Sequence, residues 1–375
     1  MMKIGFDAKR ALNNSTGLGN HARILINALA QKFPEHEYLL FSPRSREEEF
    51  YKLYDKLQII APKTKFDKAF SPFWRSFSMI EQLKGRGVNI YHGLSNELPF
   101  NIHQSGIPSV VTIHDLIFLK HTQQYFFLDR KIYEIKTRYA AKHANRIIAV
   151  SEETKNDLVH FYKTPKEKIT VIHPAVEPVF YKIATVEAKS ELKRKYALPE
   201  KFMLNVSSFF PRKNQKTLIR AFDLIKDKVD ENLILVGSGG SERKSILHLI
   251  AQMKLERRIK IISGISNEEL PTLYQLAAVF VYPSIYEGFG APVLEALCSR
   301  TPVITTSGGC MQEAGGEHSI YIDPHQPEEI ADALIRVLRN ESLRKEMIDK
   351  GYAHALSLTP ETFAEKTMRA YLDVT

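Results

Sequence analysis

No stretch of this 375-residue chain holds the roughly 20 consecutive apolar residues that a bilayer-crossing helix needs. No transmembrane segment is therefore expected. Cysteine is scarce: Cys298 and Cys310 are the two present, too few for a disulfide framework or a cysteine metal cluster. The start, Met1-Met2-Lys3-Ile4-Gly5-Phe6-Asp7, lacks the apolar core of a signal peptide and an acid interrupts it. A cytoplasmic protein is the simplest expectation. No Asp-x-Asp triplet occurs, so no acidic metal-binding triplet is visible, and neither a metal nor a bound cofactor is expected. A complete Gly-x-Gly-x-x-Gly is missing too. Gly17 and Gly19 have the right spacing, but Ala22 stands where the third glycine would, which leaves weak support for a dinucleotide. No known nucleic-acid-binding motif accompanies the basic residues, and nucleic acid is not an expected partner.

What is there points to a globular α/β protein. Hydrophobic residues make up 44% and charged residues 25% of the chain, and the length suits two domains. The net charge of +9 is uneven: residues 1–180 carry 26 Lys+Arg against 18 Asp+Glu, and residues 181–375 carry 26 against 25. The basic first half invites an anionic partner, such as a lipid phosphate, a membrane surface or an acidic glycan. Within the less regular stretch 42–87, Lys63, Lys65, Lys68 and Arg75 are interleaved with Phe66, Phe70, Phe73, Trp74 and Phe77. Such mixing suits a lipid interface. Peripheral contact with the inner face of an anionic membrane is an expectation that rests on it.

Short apolar runs alternate with amphipathic runs, the pattern of parallel sheets covered by helices. Strand-like runs start at Lys3, Val88, Ser109, Ile147 and Ile169 in the first half, and at Phe202, Leu233, Lys260, Ala277 and Pro302 in the second. The loop 12–20 leads into a helix with Ile24, Leu25, Ala28 and Leu29 on one face. His21 and Arg23 fall on what reads as its exposed face. A later helical run displays Arg130, Lys131, Lys136, Arg138, Lys142 and Arg146, which reads mostly as a solvated face. The expected domains are 1–180 and 200–357, with 181–199 as a linker and the closing stretch 359–375 returning to the first domain.

One stretch organises the rest: Tyr286-Glu287-Gly288-Phe289-Gly290-Ala291-Pro292-Val293-Leu294-Glu295-Ala296-Leu297. It follows a buried-strand run, Ala277 to Tyr282. Gly288 and Gly290 permit a tight turn, and Pro292 suits the first turn of a helix. The N–H groups of Val293 and Leu294 then lie at a helix N-terminus, a place that attracts phosphate. Glu287 and Glu295 flank it. Carboxylates beside a phosphate site make sense as acceptors from hydroxyls of a ribose or hexose, so the segment reads as a sugar-diphosphate site. Two strand-like runs end in His92 and His114, and side chains at the carboxyl ends of parallel strands face the ligand.

The stretch 286–297 resembles the Glu-x7-Glu segment of retaining family-4-type glycosyltransferases with the GT-B fold. The resemblance covers nearly the whole chain, including His114-Asp115-Leu116 and the Val-Ser-x-x-Thr-x-x-Asp-Leu pattern at 150–158. It implies two Rossmann-like domains with parallel sheets facing across a cleft. It implies transfer of a hexose such as mannose from a nucleotide sugar to a glycan or lipid-linked acceptor, with retained configuration and without metal. Its residues carry over as follows. His114 contacts the transferred sugar. Lys213 matches a diphosphate-holding lysine, and Arg212 stands in for an arginine absent at Ser208. Glu287 joins them in the catalytic set. Gly237 and Ile265 lie in loops that receive the ribose and base, and Phe289, Gly290, Val293, Leu294 and Glu295 complete the donor site. The loop with Gly17 and Gly19 contacts donor phosphates or acceptor; Asn20, Arg23 and His92 are the acceptor-side candidates. The Pro211-Arg212-Lys213-Asn214 run resembles surface-polysaccharide mannosyl- and deoxyhexosyltransferases of bacteria, which favours a GDP-sugar over a UDP-sugar. Two rivals stay open. An NAD-dependent oxidoreductase would use Gly17, Gly19 and an acid at Glu35 or Glu37, and a non-catalytic sugar-nucleotide-binding regulator would bind without turnover.

Overall fold

The computed structural model of the protein describes residues 1–14, 16–43 and 57–375. Ser15 of the loop 12–20 and residues 44–56 of the less regular stretch lie outside the described residues. The chain divides into two units: Met1–Glu177 with Leu358–Thr375, and Pro178–Ser357.

The first unit is built on a parallel sheet of seven strands in the order β3-β2-β1-β4-β5-β6-β7. These are β1 (Lys3–Asp7), β2 (Glu37–Phe41), β3 (Leu57–Ile60), β4 (Ile90–Gly93), β5 (Ser109–Ile113), β6 (Arg146–Ala149) and β7 (Ile169–Val171). Successive residues point to opposite faces. Ile90, Val110 and Ile148 join one apolar cluster, while Tyr91, Val111 and Ile147 join the other. Both faces need cover, which explains the unbroken apolar runs. Helix α1 (Gly17–Lys32) covers one face through Leu25 and Leu29. The short helix α2 (Lys65–Ala69) is capped by Thr64, whose hydroxyl accepts from the Asp67 N–H. A longer helix, α3 (Phe127–His143), buries only Thr137, Ala140 and Ala141.

The second unit carries six parallel strands in the order β10-β9-β8-β11-β12-β13: β8 (Phe202–Val206), β9 (Asn232–Val236), β10 (Ile259–Ile262), β11 (Val279–Tyr282), β12 (Val303–Thr306) and β13 (Ile320–Ile322). The stretch 181–199, expected to be a linker, falls within this unit. It forms helix α4 (Val186–Lys195), whose Thr185 cap accepts from Ala188 N–H. Helix α5 (Gln215–Ile225) buries Leu218, Ile219, Phe222 and Ile225. Helix α4 packs on α6 (Leu270–Leu276). Gln275 clamps the stretch by accepting from Ala184 N–H at 2.9 Å and donating to the Lys182 carbonyl at 2.8 Å. Those contacts tie 181–199 to the second unit; a charged run with Leu192 as its one buried residue gives little hint of them. Helix α7 (Ala291–Cys298) follows β11.

Helix α8 (Pro360–Leu372), the last element, is counted with the first unit. Its Phe363, Ala364, Met368 and Tyr371 enter the same cluster as Leu25 and Leu29 of α1. Among the described residues no helix is long and apolar enough to cross a membrane.

Candidate active site

In the second unit the loops after β8, β9, β10 and β11 leave the carboxyl ends of one parallel sheet, where open α/β sheets bind ligands. The loop after β8 turns through a 3-10 turn, Pro211–Lys213, and Asn214 takes a left-handed conformation with φ of 59°. The Asn214 amide donates to the carbonyls of Pro283 and Pro324, at 3.2 and 2.6 Å. Ile285 N–H and Ser284 Oγ donate to the Arg212 carbonyl at 2.8 and 3.0 Å. The loops after β8 and β11 are therefore stitched together, which brings Arg212, Lys213 and Glu287 into contact. Glu287 Oε1 accepts from Arg212 Nη1 at 2.7 Å, Tyr282 Oη at 3.0 Å, Ser284 Oγ at 2.6 Å and Lys213 Nζ. Lys213 also donates to Tyr282 Oη at 2.6 Å. Burial by itself would raise the Glu287 carboxyl, but the Lys213 and Arg212 charges outweigh it and hold the group down at about 2. The carboxylate is ionised and holds both cations.

Around this cluster the glycines allow close backbone approach. A Cβ on Gly237 would lie 2.0 Å from the Ser207 carbonyl oxygen, so the loop after β9 touches the loop after β8 only with glycine there. Gly290 caps α7 with φ of 99°. Phe289, Val293 and Leu294 are buried beneath the turn. The Val293 N–H closes on the Gly290 carbonyl at 2.9 Å. Glu295, one turn into α7, accepts from Tyr274 Oη at 3.0 Å. Ile265 is half-buried in the loop after β10.

In the first unit the carboxyl ends of β1, β4 and β5 border a cavity of about 220 Å³ whose lining includes Arg10, Asn96, Glu97, His114, Tyr133 and Lys136. His114 is held at three points. Its N–H donates to Asn96 Oδ1 at 2.8 Å, its carbonyl accepts from Thr154 Oγ1 at 3.3 Å, and its Nε2 lies 2.9 Å from the Leu94 carbonyl. A carbonyl only accepts, so Nε2 carries the proton and Nδ1 is left as an acceptor. Burial lowers the imidazole to about 4, so the ring is neutral near pH 7. Beside it runs an ionic chain that is buried at its Asp7 and Arg75 end. Arg75 pairs with Asp7, donates to Glu97 Oε1 at 2.8 Å, and Glu97 Oε2 accepts from Lys136 Nζ at 2.6 Å. Burial would raise Glu97, but Arg75 and Lys136 bring it to about 2.

The family model for glycosyl transferases group 1 matches residues 188–354, and that for glycosyltransferase family 4 matches residues 15–180. The chain belongs to the family-4-type glycosyltransferases. Among curated relatives, the O-antigen chain mannosyltransferase B of Escherichia coli is 27% identical over 285 residues, 75% of this chain and 74% of that one. A serotype-specific mannosyltransferase, WbdA of Escherichia coli, is 27% identical over 284 residues, and the match spans 34% of its length. The crystal structure of Anabaena HepE in complex with UDP superposes with a TM-score of 0.77 at 16% identity, over 100% of both chains. These likenesses give this glycosyltransferase the GT-B fold, with two Rossmann-like parallel-sheet units.

Several of the glycosyltransferase's expected site residues have other work. His92 is fully buried, its Nδ1 2.6 Å from Tyr371 Oη and its Nε2 2.8 Å from Thr112 Oγ1. With both ring nitrogens occupied inside the first unit it is a packing residue, not an acceptor ligand. Arg23 is buried rather than exposed, and its Nη1 donates to the carbonyls of Ala11 and Asn14 at 3.0 and 2.8 Å. Its Nη2 donates to Asn20 Oδ1. Arg23 and Asn20 shape the loop rather than reach a ligand. Gly19 serves that loop as well, since a Cβ there would lie 1.8 Å from the Asn14 carbonyl oxygen; Gly17 faces open space. His21 is buried against His114, ring centroids 4.5 Å apart. Arg75 and Trp74 are buried, so neither belongs to a lipid-facing set. The Val293 N–H, expected to face phosphate, is spent within the first turn of α7. Glu287, expected to receive sugar hydroxyls, receives four protein donors on Oε1. Glu37 starts β2 and pairs with Lys3 at 3.4 Å. It and Glu35 sit at the amino edge of the sheet, the wrong end for a ribose ligand, and the oxidoreductase reading loses its acid. Tyr282 and Ser284 orient Glu287, and neither carries a site signal in the sequence, where Tyr282 only ends an apolar run.

Proposed function

We propose that this glycosyltransferase moves a hexose, with retained configuration and without a metal, from a nucleotide sugar to a glycan acceptor carried on a lipid. The second unit holds the donor. The observation that carries this is the Arg212–Lys213–Glu287 cluster at the carboxyl ends of β8 and β11. A departing nucleoside diphosphate gathers negative charge, and fixed cations in a dry site stabilise it without reorganising. Two cations side by side suit that task, and Glu287 fixes where both point. Glu295, one turn into α7, is the acceptor for ribose hydroxyls. No side chain is required as nucleophile: the acceptor hydroxyl attacks from the face that the diphosphate leaves. The first unit receives the acceptor, and neutral His114 accepts a hydrogen bond from a sugar hydroxyl through Nδ1.

The names of the mannosyltransferase relatives support mannose and therefore GDP as the carrier; O-antigen relatives support a role in surface-polysaccharide synthesis. A thermal-shift panel of GDP, UDP, dTDP and ADP tests the donor, because a bound ligand raises the melting temperature according to its affinity. GDP should give the largest shift. A larger shift with UDP would remove the GDP preference. Slow hydrolysis of the matching nucleotide sugar separates an enzyme from a non-catalytic binder.

A further inference from the structure

Helix α3 carries its apolar side chains on the wrong side for a helix that only borders a core. Its buried residues are Thr137, Ala140 and Ala141. Its outward residues Leu128, Ile132 and Ile135 are 73%, 51% and 58% exposed, and spacings of four, three and four residues continue the stripe to Tyr139. At its start Phe126 and Phe127 are 84% and 63% exposed. The band does not stop there. Tyr139 touches Phe100 with ring centroids 4.8 Å apart, Phe100 stacks on Phe77 at 5.6 Å, and Phe77 meets Phe73 at 5.2 Å. Phe73 in turn meets Phe66 at 5.6 Å, on α2. Phe66, Phe70, Phe73 and Phe77 are all exposed.

We infer that this band, from α2 along the outer face of α3, is the surface by which the first unit seats itself in an anionic phospholipid bilayer. The inference rests on the reading that the first unit takes a lipid-carried acceptor, and it names the element that meets the lipid. Charge chooses the occupant. Lys63, Lys65 and Lys68 are exposed beside the phenylalanines, and Lys131, Arg138 and Lys142 are exposed along one flank of the α3 stripe. Glu134 bridges Lys131 and Arg138 at 3.3 and 3.2 Å and offsets part of that charge. Exposed aromatics and aliphatics rimmed by cations are the composition of an interfacial helix. The same helix lines the 220 Å³ cavity with Ile132, Tyr133, Lys136 and Thr137. A lipid whose tail lies along the outer stripe therefore presents its polar head beside that cavity.

The test uses the full chain with vesicles of phosphatidylglycerol or of phosphatidylcholine. Wild-type protein should co-sediment with the first and scarcely with the second, and should be released as salt rises. A Phe127→Ser/Leu128→Ser/Ile135→Ser variant changes only exposed side chains and should keep the wild-type melting curve. Its partition into phosphatidylglycerol vesicles should fall by about a hundredfold, given the apolar area removed. Equal partition of wild type and variant would overturn the proposal. So would binding to neither vesicle, or self-association of the wild type that the variant abolishes with no vesicle binding, which would make the face a contact between copies. GDP and UDP binding measured on the variant keeps the two readings apart. Intact nucleotide binding with lost vesicle binding is the expected outcome. Vesicle binding without nucleotide binding in the wild type would overturn the donor site and leave the surface standing.

Discussion

Each unit contains a glutamate clamped between two cations, and the two clamps differ in the company their cations keep. In the second unit Glu287 holds Arg212 and Lys213. In the first, Glu97 holds Arg75 and Lys136. Both carboxyls are held at about 2, against burial, by their cations. The difference is Asp7, a second acid that pairs with Arg75. That chain of four charges fixes the shape of a cavity wall. The second clamp sets its two cations at the carboxyl ends of a parallel sheet, where an arriving diphosphate would meet them. The same local device thus serves structure in one unit and, as we propose, leaving-group stabilisation in the other.

The comparison is broken most severely at the two glutamates. Glu287→Ala strands the buried Lys213 and should cost roughly 3–5 kcal/mol of stability, read from chemical denaturation; Glu97→Ala should cost less, because Arg75 keeps Asp7 and Lys136 is half-buried. A loss under about 1 kcal/mol at Glu287 would mean that the clamp behaves as a surface pair. Lys213→Ala comes next and separates the units: sugar transfer should fall by roughly 100- to 1000-fold, the scale of one lost electrostatic donor. Full turnover in that variant would dismiss the leaving-group role. Glu295→Ala should weaken nucleotide binding by roughly 1.5–3 kcal/mol without unfolding the protein; unchanged affinity by calorimetry would count against a ribose contact.

Acid sharpens the likeness rather than the contrast. A carboxyl held at about 2 when folded and at 4.5 otherwise stabilises the protein above pH 4.5, and that contribution is lost as pH falls toward 2. The loss of stability in that window should shrink in Glu287→Gln and in Glu97→Gln alike. An unchanged pH dependence in both would show that the clamps do not set acid stability. The smallest expected effect is none: transfer should persist in excess EDTA, and a loss restored by magnesium or manganese would reject the metal-free mechanism.

How much of this could be read from the chain follows from contact range. The central strands were legible because strands covered on both faces are mostly apolar along their length, as in Val279–Tyr282. The edge strand β3 was not, since it is only partly buried, and neither was its neighbour β2. The turn at 286–297 announced itself through Gly290 and Pro292, whose backbone demands are local. The fates of charged and imidazole side chains did not. Arg75 meets a partner 68 residues away and His92 one 279 residues away, and no spacing rule spans such distances. His92 and His114 both end strands, yet one is sealed by Tyr371 and the other borders the cavity. Lys213 and Arg212 could be placed in the site by resemblance; that Glu287 binds them both was visible only once the loops were folded.

Helix α8 gives the chain an order of events as well as an architecture. The first unit is opened by residue 1 and closed by residues 358–375, so a ribosome finishes the whole of the second unit before it releases the helix that the first still lacks. Until then the patch of α1 that receives Phe363, Met368 and Tyr371 stays bare, and His92 waits for a hydroxyl that has not been synthesised. Domains generally fold as they emerge, amino-terminal first. Here the second unit to appear can be the first to be complete, and the nascent first unit is the form that holding chaperones would meet.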